Sequence, residues 1–183
     1  MHKRIRLNAA ALAGLLIILF FLIIAVFAPV IAPYDPKEMI ASYLPPSREH
    51  LLGTNDVGQD IFSEMVYGTR VSLYIGIFAA FIVTGVGTVL ALVSGYFGGV
   101  TDKIITAITN IAMAVPSLPL TVLLVAYLNP GKWSLIIAIS VTAWTGTARI
   151  LRSRVMQLKE LPFIKIEKTM GVHPAVILFK HIL

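Results

Sequence analysis

The residue types that commonly carry out catalysis are present in this chain, but their spacing assembles no recognisable reactive centre. The chain has no cysteine, which excludes disulfides and thiolate metal sites. No glycine-rich loop ends in Gly-Lys-Ser or Gly-Lys-Thr, so ATP cannot be bound by that route. The histidines are scattered and match no metal-binding motif: His2, His50, His173 and His181. We therefore predict no enzymatic activity, no catalytic residue, no metal and no cofactor.

Polar residues inside an apolar segment are the first candidates for a transport function. Asn110 is followed by Pro116-Ser117-Leu118-Pro119. Each proline removes a backbone donor and kinks a helix, and the freed carbonyls need water or protein partners. The pattern predicts either a kink that serves packing or a helix break that lines a transport pathway.

A second polar stripe follows in the next apolar segment. Ala138, Thr142, Thr145 and Arg149 are spaced four, three and four residues apart, which places them on one helix face. Such a stripe suits a hydrated pathway, although threonine hydroxyls also bond commonly to their own backbone. The predicted pathway residues are Asn110, Pro116, Ser117, Thr142 and Thr145.

The composition indicates what positions these residues. Hydrophobic residues make up 57% of the 183, charged residues only 13%, and the mean hydropathy is +0.87. A soluble domain contains about 25% charged residues. The chain is therefore predicted to be an all-α membrane protein in contact with lipid. Its net charge of +6 is attributed to basic cytoplasmic loops and not to nucleic-acid binding.

Four apolar runs are long enough to cross a bilayer: 9–32, 71–96, 104–128 and 133–151. The first, following Lys3, Arg4 and Arg6, is longer than the hydrophobic region of a cleaved signal peptide. Residues 161–183 contain the start of a fifth span, so we expect the chain to be truncated. The predicted organisation is a cytoplasmic N-terminus with the first span (1–32), an extracytoplasmic loop (33–70) and an incomplete core permease domain (71–183).

The distribution of basic residues predicts the orientation. With the N-terminus inside, eleven lysines and arginines fall on the cytoplasmic side and four on the outer side. This agrees with the positive-inside rule and predicts a multi-pass protein of the plasma or inner membrane with a cytoplasmic N-terminus.

Two local patterns predict surfaces. From Asp60 to Tyr67, apolar residues fall opposite Asp60 and Glu64, which predicts a short amphipathic helix along the outer surface, as a docking surface or a lid. In the second apolar run, small residues recur every fourth position and predict close packing within the chain or against a partner permease. They are Gly87, Ala91, Gly95 and Gly99.

Several segments together carry a family resemblance. They are Leu52-Gly-Thr-Asn-Asp-Val-Gly-Gln-Asp-Ile-Phe-Ser63, Tyr67-Gly-Thr-Arg-Val-Ser-Leu73, Gly95-Tyr-Phe-Gly-Gly99 with Asp102, Pro116, Trp144 with Ala148 and Arg149, and Gly171 with His181-Ile-Leu183. The chain resembles the second permease of peptide/nickel-type ABC importers, and the last of these segments resembles the loop called the EAA motif.

The resemblance implies a type I ABC importer transmembrane domain with four complete spans and the start of a fifth. Its expected partners are a second permease subunit, two cytoplasmic ABC ATPases and an extracytoplasmic solute-binding protein. The loop would form a coupling helix on an ATPase. Its residues are Lys165, Glu167, Lys168, Gly171 and His181.

The loop departs from the family pattern at its beginning. Lys165-Ile166-Glu167 stands where the family usually has Glu-Ala-Ala, and residues two apart face different sides of a helix. We expect a chain that ends at Leu183 not to support transport alone. Two alternatives remain. One is a non-transporting remnant or assembly subunit. The other is a carrier independent of ATP, but the lack of acidic residues in the spans argues against it.

Overall fold

The computed structural model describes residues 9–183, so His2, Lys3, Arg4 and Arg6 lie outside the described part. The described chain is helical, with one isolated bridge between Thr54 and Asp60. It divides into two compact units, one ending at Tyr74 and the other spanning Ile75–Leu183. The helices are α1 Ala9–Val26, α2 Ala28–Ile31, α3 Ile61–Phe97, α4 Gly99–Ala114, α5 Ser117–Tyr127, α6 Lys132–Lys159, α7 Pro162–Thr169 and α8 Pro174–Ile177, followed by a π-helical turn, Leu178–Ile182.

Three of these helices are long and apolar enough to cross a membrane: α1, α3 and α6. The helices α4 and α5 pass the same test only as a pair, and they are bent by 83° at the break between them. The prediction of an all-α membrane protein is confirmed. The prediction of four complete spans stays a prediction, because it depends on whether this bent pair crosses as one span.

The short amphipathic helix predicted from Asp60 to Tyr67 is wrong as a separate element. Residues 61–67 are the first turns of α3. This helix is 37 residues long, or roughly 55 Å at 1.5 Å per residue. Gly68 does not end the helix, because one glycine costs a helix only about 1 kcal/mol. The buried positions here, Ser63 and Val66, belong to the same unit as the loop before α3.

Close approach through small residues joins α3 and α6 in the second unit. A Cβ atom added to Gly87 would lie 2.8 Å from the Thr147 side chain, and one added to Gly95 would lie 2.8 Å from Val155. The predicted packing within the chain is thus confirmed at both glycines. Gly99 lies outside α3, where it and Gly98 make the turn into α4 with positive φ angles.

Candidate transport groove and coupling segment

Two prolines create the break between α4 and α5. Val115 and Pro116 are extended, with ψ angles of 127° and 118°. Pro116 cannot donate to the Ala112 carbonyl, and Pro119 cannot donate to that of Val115, because proline has no N–H. The break therefore interrupts the backbone hydrogen bonding at the negative end of α4 and the positive end of α5.

A groove of about 530 Å³ opens at this break, against the side of α6. Its volume lies within the range of roughly 300–1,000 Å³ that is typical of small-molecule sites. Four of the five predicted pathway residues line it: Pro116, Ser117, Thr142 and Thr145. None of the residues that line it is charged.

The threonine hydroxyls of the groove differ in their partners. Thr121 Oγ1 donates to the Ser117 carbonyl at 2.8 Å, and Thr142 Oγ1 lies 3.0 Å from the Ala138 carbonyl. The two hydroxyl oxygens are 3.3 Å apart. Thr142 thus bonds to its own backbone and also lines the groove. Thr145 is only 6% exposed, and within residues 9–183 its hydroxyl has no hydrogen-bond partner.

Asn110 lies apart from the other four predicted pathway residues. Arg149 Nη2 donates to its Oδ1 at 2.7 Å, and the two residues line a separate cavity of about 50 Å³. The structure therefore separates the predicted pathway residues into two places. Four of them line the groove at the helix break, and Asn110 pairs with Arg149 between α4 and α6.

An ion pair that the sequence analysis did not identify joins α4 to α6 beside this small cavity. Arg152 donates from Nε and Nη2 to the two carboxylate oxygens of Asp102, each at 2.6 Å. The hydroxyl of Ser94 on α3 donates to the same carboxylate, and Thr106 lies at 3.4 Å. The sequence does place Asp102 and Arg152 beside successive apolar runs, with opposite charges. Because 50 residues separate them, this signal was not enough to identify the pair.

The predicted coupling loop begins with α7, which is set off from α6 by a short turn. Pro162 occupies the start of α7, where its missing N–H costs nothing. Lys165 Nζ lies 2.8 Å from Glu160 Oε2, and both side chains are more than half exposed. The hydrogen bond from Lys165 lowers the pKa of Glu160, and the positive charge of Lys165 acts in the same direction.

The end of this loop is tied back to α7. His181 Nε2 lies 3.0 Å from Glu167 Oε1, and the His181 ring makes an edge contact with Phe163. Gly171 makes the turn with a φ of +79°, a conformation that favours glycine. The structure thus brings Glu167 and His181 together, whereas Lys168 is exposed and Lys165 contacts Glu160.

The first unit contains a second polar cluster that the sequence did not predict. His50 Nδ1 lies 3.0 Å from Asp60 Oδ1, and Asp60 Oδ2 accepts from the Ser63 amide at 2.8 Å. The Tyr34 ring stacks on His50 with centroids 4.8 Å apart. Burial by itself would raise the pKa of Asp60, but the hydrogen bonds from Ser63 and His50 outweigh it and lower the pKa.

Comparison with known proteins gives consistent matches along the chain. Residues 87–183 match the family described as binding-protein-dependent transport system inner membrane component. Residues 1–46 match the N-terminal TM domain of oligopeptide transport permease C. The family match covers more than half of the chain and includes the groove, the ion pair and the coupling loop.

Individual relatives agree with these matches. An oligopeptide transport system permease protein, OppC of Bacillus subtilis, is 39% identical over 98% of this chain and 59% of its own length. A dipeptide permease, DppC of the same organism, is 36% identical over 99% of the chain and 57% of its own length. A glutathione permease, GsiD of Pectobacterium atrosepticum, is 35% identical over 100% and 61%. The chain thus spans about three-fifths of the length of these relatives.

Proposed function

Because the chain belongs to the family of binding-protein-dependent transport system inner membrane components, we propose that it acts in an ATP-driven importer. It would be a permease subunit that forms part of the membrane pathway for oligopeptides or a related small solute. The predicted fold class, an all-α type I ABC importer membrane domain, is confirmed by the family match. The relatives named for oligopeptide, dipeptide and glutathione transport support peptide-like substrates over nickel complexes.

The proposed assembly has four kinds of partner, all outside this chain. They are a second permease subunit, two cytoplasmic ABC ATPases, an extracytoplasmic solute-binding protein and membrane lipid. The distribution of basic residues supports a cytoplasmic N-terminus, which puts α7 on the ATPase side and the loop 33–60 on the side of the binding protein.

The observation that carries the proposal is the position of α7 inside the matched region. Ile164 on α7 is only 2% exposed, whereas Ile166 and Met170 are 58% and 75% exposed. One face of α7 therefore packs within the chain while the other is free for a partner. We assign the exposed side chains of Lys165 and Lys168 to the contact with the ATPase, and Glu167, Gly171 and His181 to the tether that holds α7 in place.

The groove at the α4–α5 break supports the proposed membrane pathway. It combines interrupted backbone hydrogen bonding with hydroxyl groups, which a helix facing only lipid would not tolerate. Pro116, Ser117, Thr142 and Thr145 would line the route of the solute. Asn110 would contribute instead through its bond to Arg149.

Uptake by cells that express the complete importer tests the proposal. The native protein is co-expressed with its second permease, ATPases and binding protein in cells that lack peptide importers, and uptake of a radiolabelled tripeptide is measured. We expect ATP-dependent uptake that disappears when this subunit is omitted. Uptake that stays unchanged when this subunit is omitted would contradict the proposal and support the alternative, a non-transporting remnant or assembly subunit.

A matched pair of variants tests the assigned coupling face. Lys168→Glu reverses an exposed charge on α7, whereas Lys37→Glu reverses one in the loop before α3. We expect the first to lower uptake about 10-fold or more with normal assembly, and the second to leave uptake within about twofold. Equal uptake by both variants would remove Lys168 from the coupling face.

A further inference from the structure

We propose that the groove at the α4–α5 break is a subsite for the uncharged peptide backbone, which it recognises through amide and carbonyl groups. The inference rests on the proposed function and adds to it the chemistry by which the membrane pathway contacts its cargo. It is carried by the main-chain groups at the break, by the unpartnered hydroxyl of Thr145 and by the absence of charged groups in the lining.

The break supplies acceptors from the end of α4. The carbonyls of Ala112 and Val115 lack their usual donors, because Pro116 and Pro119 occupy those positions. The amides of Ser117 and Leu118 donate to no carbonyl of α4. Ala112 and Val115 both line the groove, so acceptors at the negative end of a helix border it.

The same break supplies donors from the beginning of α5. Ser117 and Leu118 are its first two residues, and their amides are among those that a helix leaves unpaired at its N-terminus. Both residues line the groove. Donors and acceptors of the main chain therefore occur side by side, which is the pattern that a peptide unit can satisfy with its own carbonyl and N–H.

Thr145 is the independent indication of a ligand. Its side chain is more than nine-tenths buried and lines the groove, yet within the described residues its hydroxyl binds no other group. Ser140 on the same helix is also unpartnered, but its oxygen is fully buried and Ser140 does not line the groove. The Thr145 oxygen is not fully buried in this way and Thr145 lines the groove, so we infer that its free hydrogen-bonding capacity is available there. A bound donor or acceptor group would pair this hydroxyl, which has no partner among the described residues.

The neighbouring hydroxyls extend this polar surface. Thr121 and Thr142 each have a carbonyl of their own helix within 3.0 Å of the hydroxyl oxygen, which takes up the single proton of each group. Their lone pairs remain for an N–H donor. Because no acidic or basic residue lines the groove, it distinguishes peptides by their backbone and not by the charge of their side chains.

Replacing one peptide bond of the cargo by an ester tests this inference. The ester removes the N–H donor and weakens the carbonyl acceptor while it preserves the shape of the molecule. Uptake of a tripeptide and of its ester analogue is measured with the reconstituted native importer, and the ratio of the two initial rates is compared among permease variants. The binding protein is identical in every case, so any change in this ratio arises in the permease.

The variants are Thr145→Val and, as the control, Thr109→Val. Thr109 is buried to a similar degree, and its hydroxyl donates to the Ile105 carbonyl at 2.8 Å, but it does not line the groove. We expect the peptide-to-ester ratio to fall by roughly 3- to 10-fold in Thr145→Val, the loss of one neutral hydrogen bond, and to stay unchanged in Thr109→Val. Thr145→Ser, which restores the hydroxyl, should restore the ratio.

Each outcome bears on the inference. Equal slowing of both substrates by Thr145→Val would overturn it and leave Thr145 a packing residue. If Thr145→Val does not assemble, Thr142→Val takes its place, and an unchanged ratio in that variant would also overturn the inference. Failure of the unaltered importer to take up any tripeptide would contradict the proposed function itself, a result distinct from an unchanged ratio.

Discussion

At the scale of single residues, the cluster around Asp60 shows how one carboxylate organises a loop. Asp60 is 1% exposed, caps the start of α3 through the Ser63 amide and holds His50 beneath the Tyr34 ring. The loop before α3 has no regular secondary structure apart from the bridge at Thr54, and these side-chain bonds add to backbone hydrogen bonds such as that from the Thr54 amide to the Leu44 carbonyl at 3.1 Å.

The lowered pKa of Asp60 makes this loop sensitive to acid. Folding favours the ionised form, so its contribution to stability is fully present above the pKa of the unfolded chain and is lost as the pH falls below about 4. We expect the protection of the Thr54 and Leu44 amides, meaning their exchange rates relative to those of the unfolded chain at the same pH, to fall as the pH drops below about 4.

Asp60→Asn is the control for that pH dependence. The amide keeps the shape but cannot ionise, and we expect it to weaken the loop by about 1–3 kcal/mol at neutral pH while it removes the added loss in acid. Protection that falls equally in both proteins below about pH 4 would assign the acid sensitivity to another group.

At the scale of elements, α3, α4 and α6 are held together by close packing and by one ion pair. Gly87 and Gly95 admit the side chains of α6, and Asp102 receives Arg152 from α6 and Ser94 from α3. The helix α7 follows α6 after two residues. The end of α6 that leads to α7 is thus fixed to two other helices.

A substitution at Gly95 tests the packing. Gly95→Ala places a Cβ atom 2.8 Å from Val155, and overpacking of this kind costs about 1–3 kcal/mol. Gly85→Ala on the same helix meets no atom within 4 Å and serves as the control. We expect the thermal unfolding midpoint of the detergent-solubilised protein to fall in the first variant only. A fall of equal size in both would place the effect in the helix backbone.

The ion pair is tested by a double-mutant cycle. Asp102→Asn and Arg152→Gln each remove one charge, and a hydrogen bond to a charged group contributes about 1.5–3 kcal/mol. We expect the double variant to lose less stability than the sum of the two single losses. Additive losses in the unfolding midpoints would show that the pair contributes nothing as a pair.

The sequence predicted elements better than it predicted the contacts between them. The prolines at 116 and 119 located the break, because proline acts locally on the backbone. The start of α3 was misplaced, since eight residues with an amphipathic pattern do not reveal whether a helix continues. The Asp102–Arg152 pair depends on the packing of α4 against α6, and no spacing within one helix encodes it.

The predicted pathway set shows the same limit. Thr142 and Thr145 share a face of α6 by helical periodicity, and the groove contains both. Asn110 was grouped with them only because it precedes the break, and its partner Arg149 became evident only from the structure. Likewise, Lys165 and Glu167 were predicted to face different sides of a helix, and they have different partners.

At the scale of the whole molecule, the predicted orientation in the membrane rests on charge alone and can be measured directly. The chain has no native cysteine, so single cysteines can be introduced without background labelling. We expect Asp35→Cys, in the loop after α2, to react with a membrane-impermeant maleimide in intact cells. Lys168→Cys should react only after the cells are permeabilised.

The reverse labelling pattern would place α7 on the outer side. That result would separate it from any cytoplasmic ATPase and contradict the assigned coupling face. Labelling of both positions in intact cells would indicate damaged membranes, which a cytoplasmic marker protein reveals in the same experiment.

The helix break at Pro116 has a consequence for how the sequence of such a groove evolves. Main-chain amides and carbonyls are present whichever side chain a position carries. Met113 and Leu118 can therefore drift to other residues while the polar groups at the break stay where they are. For this part of the surface the sequence must keep the two prolines that hold the backbone open, whereas the other side chains at the break can change.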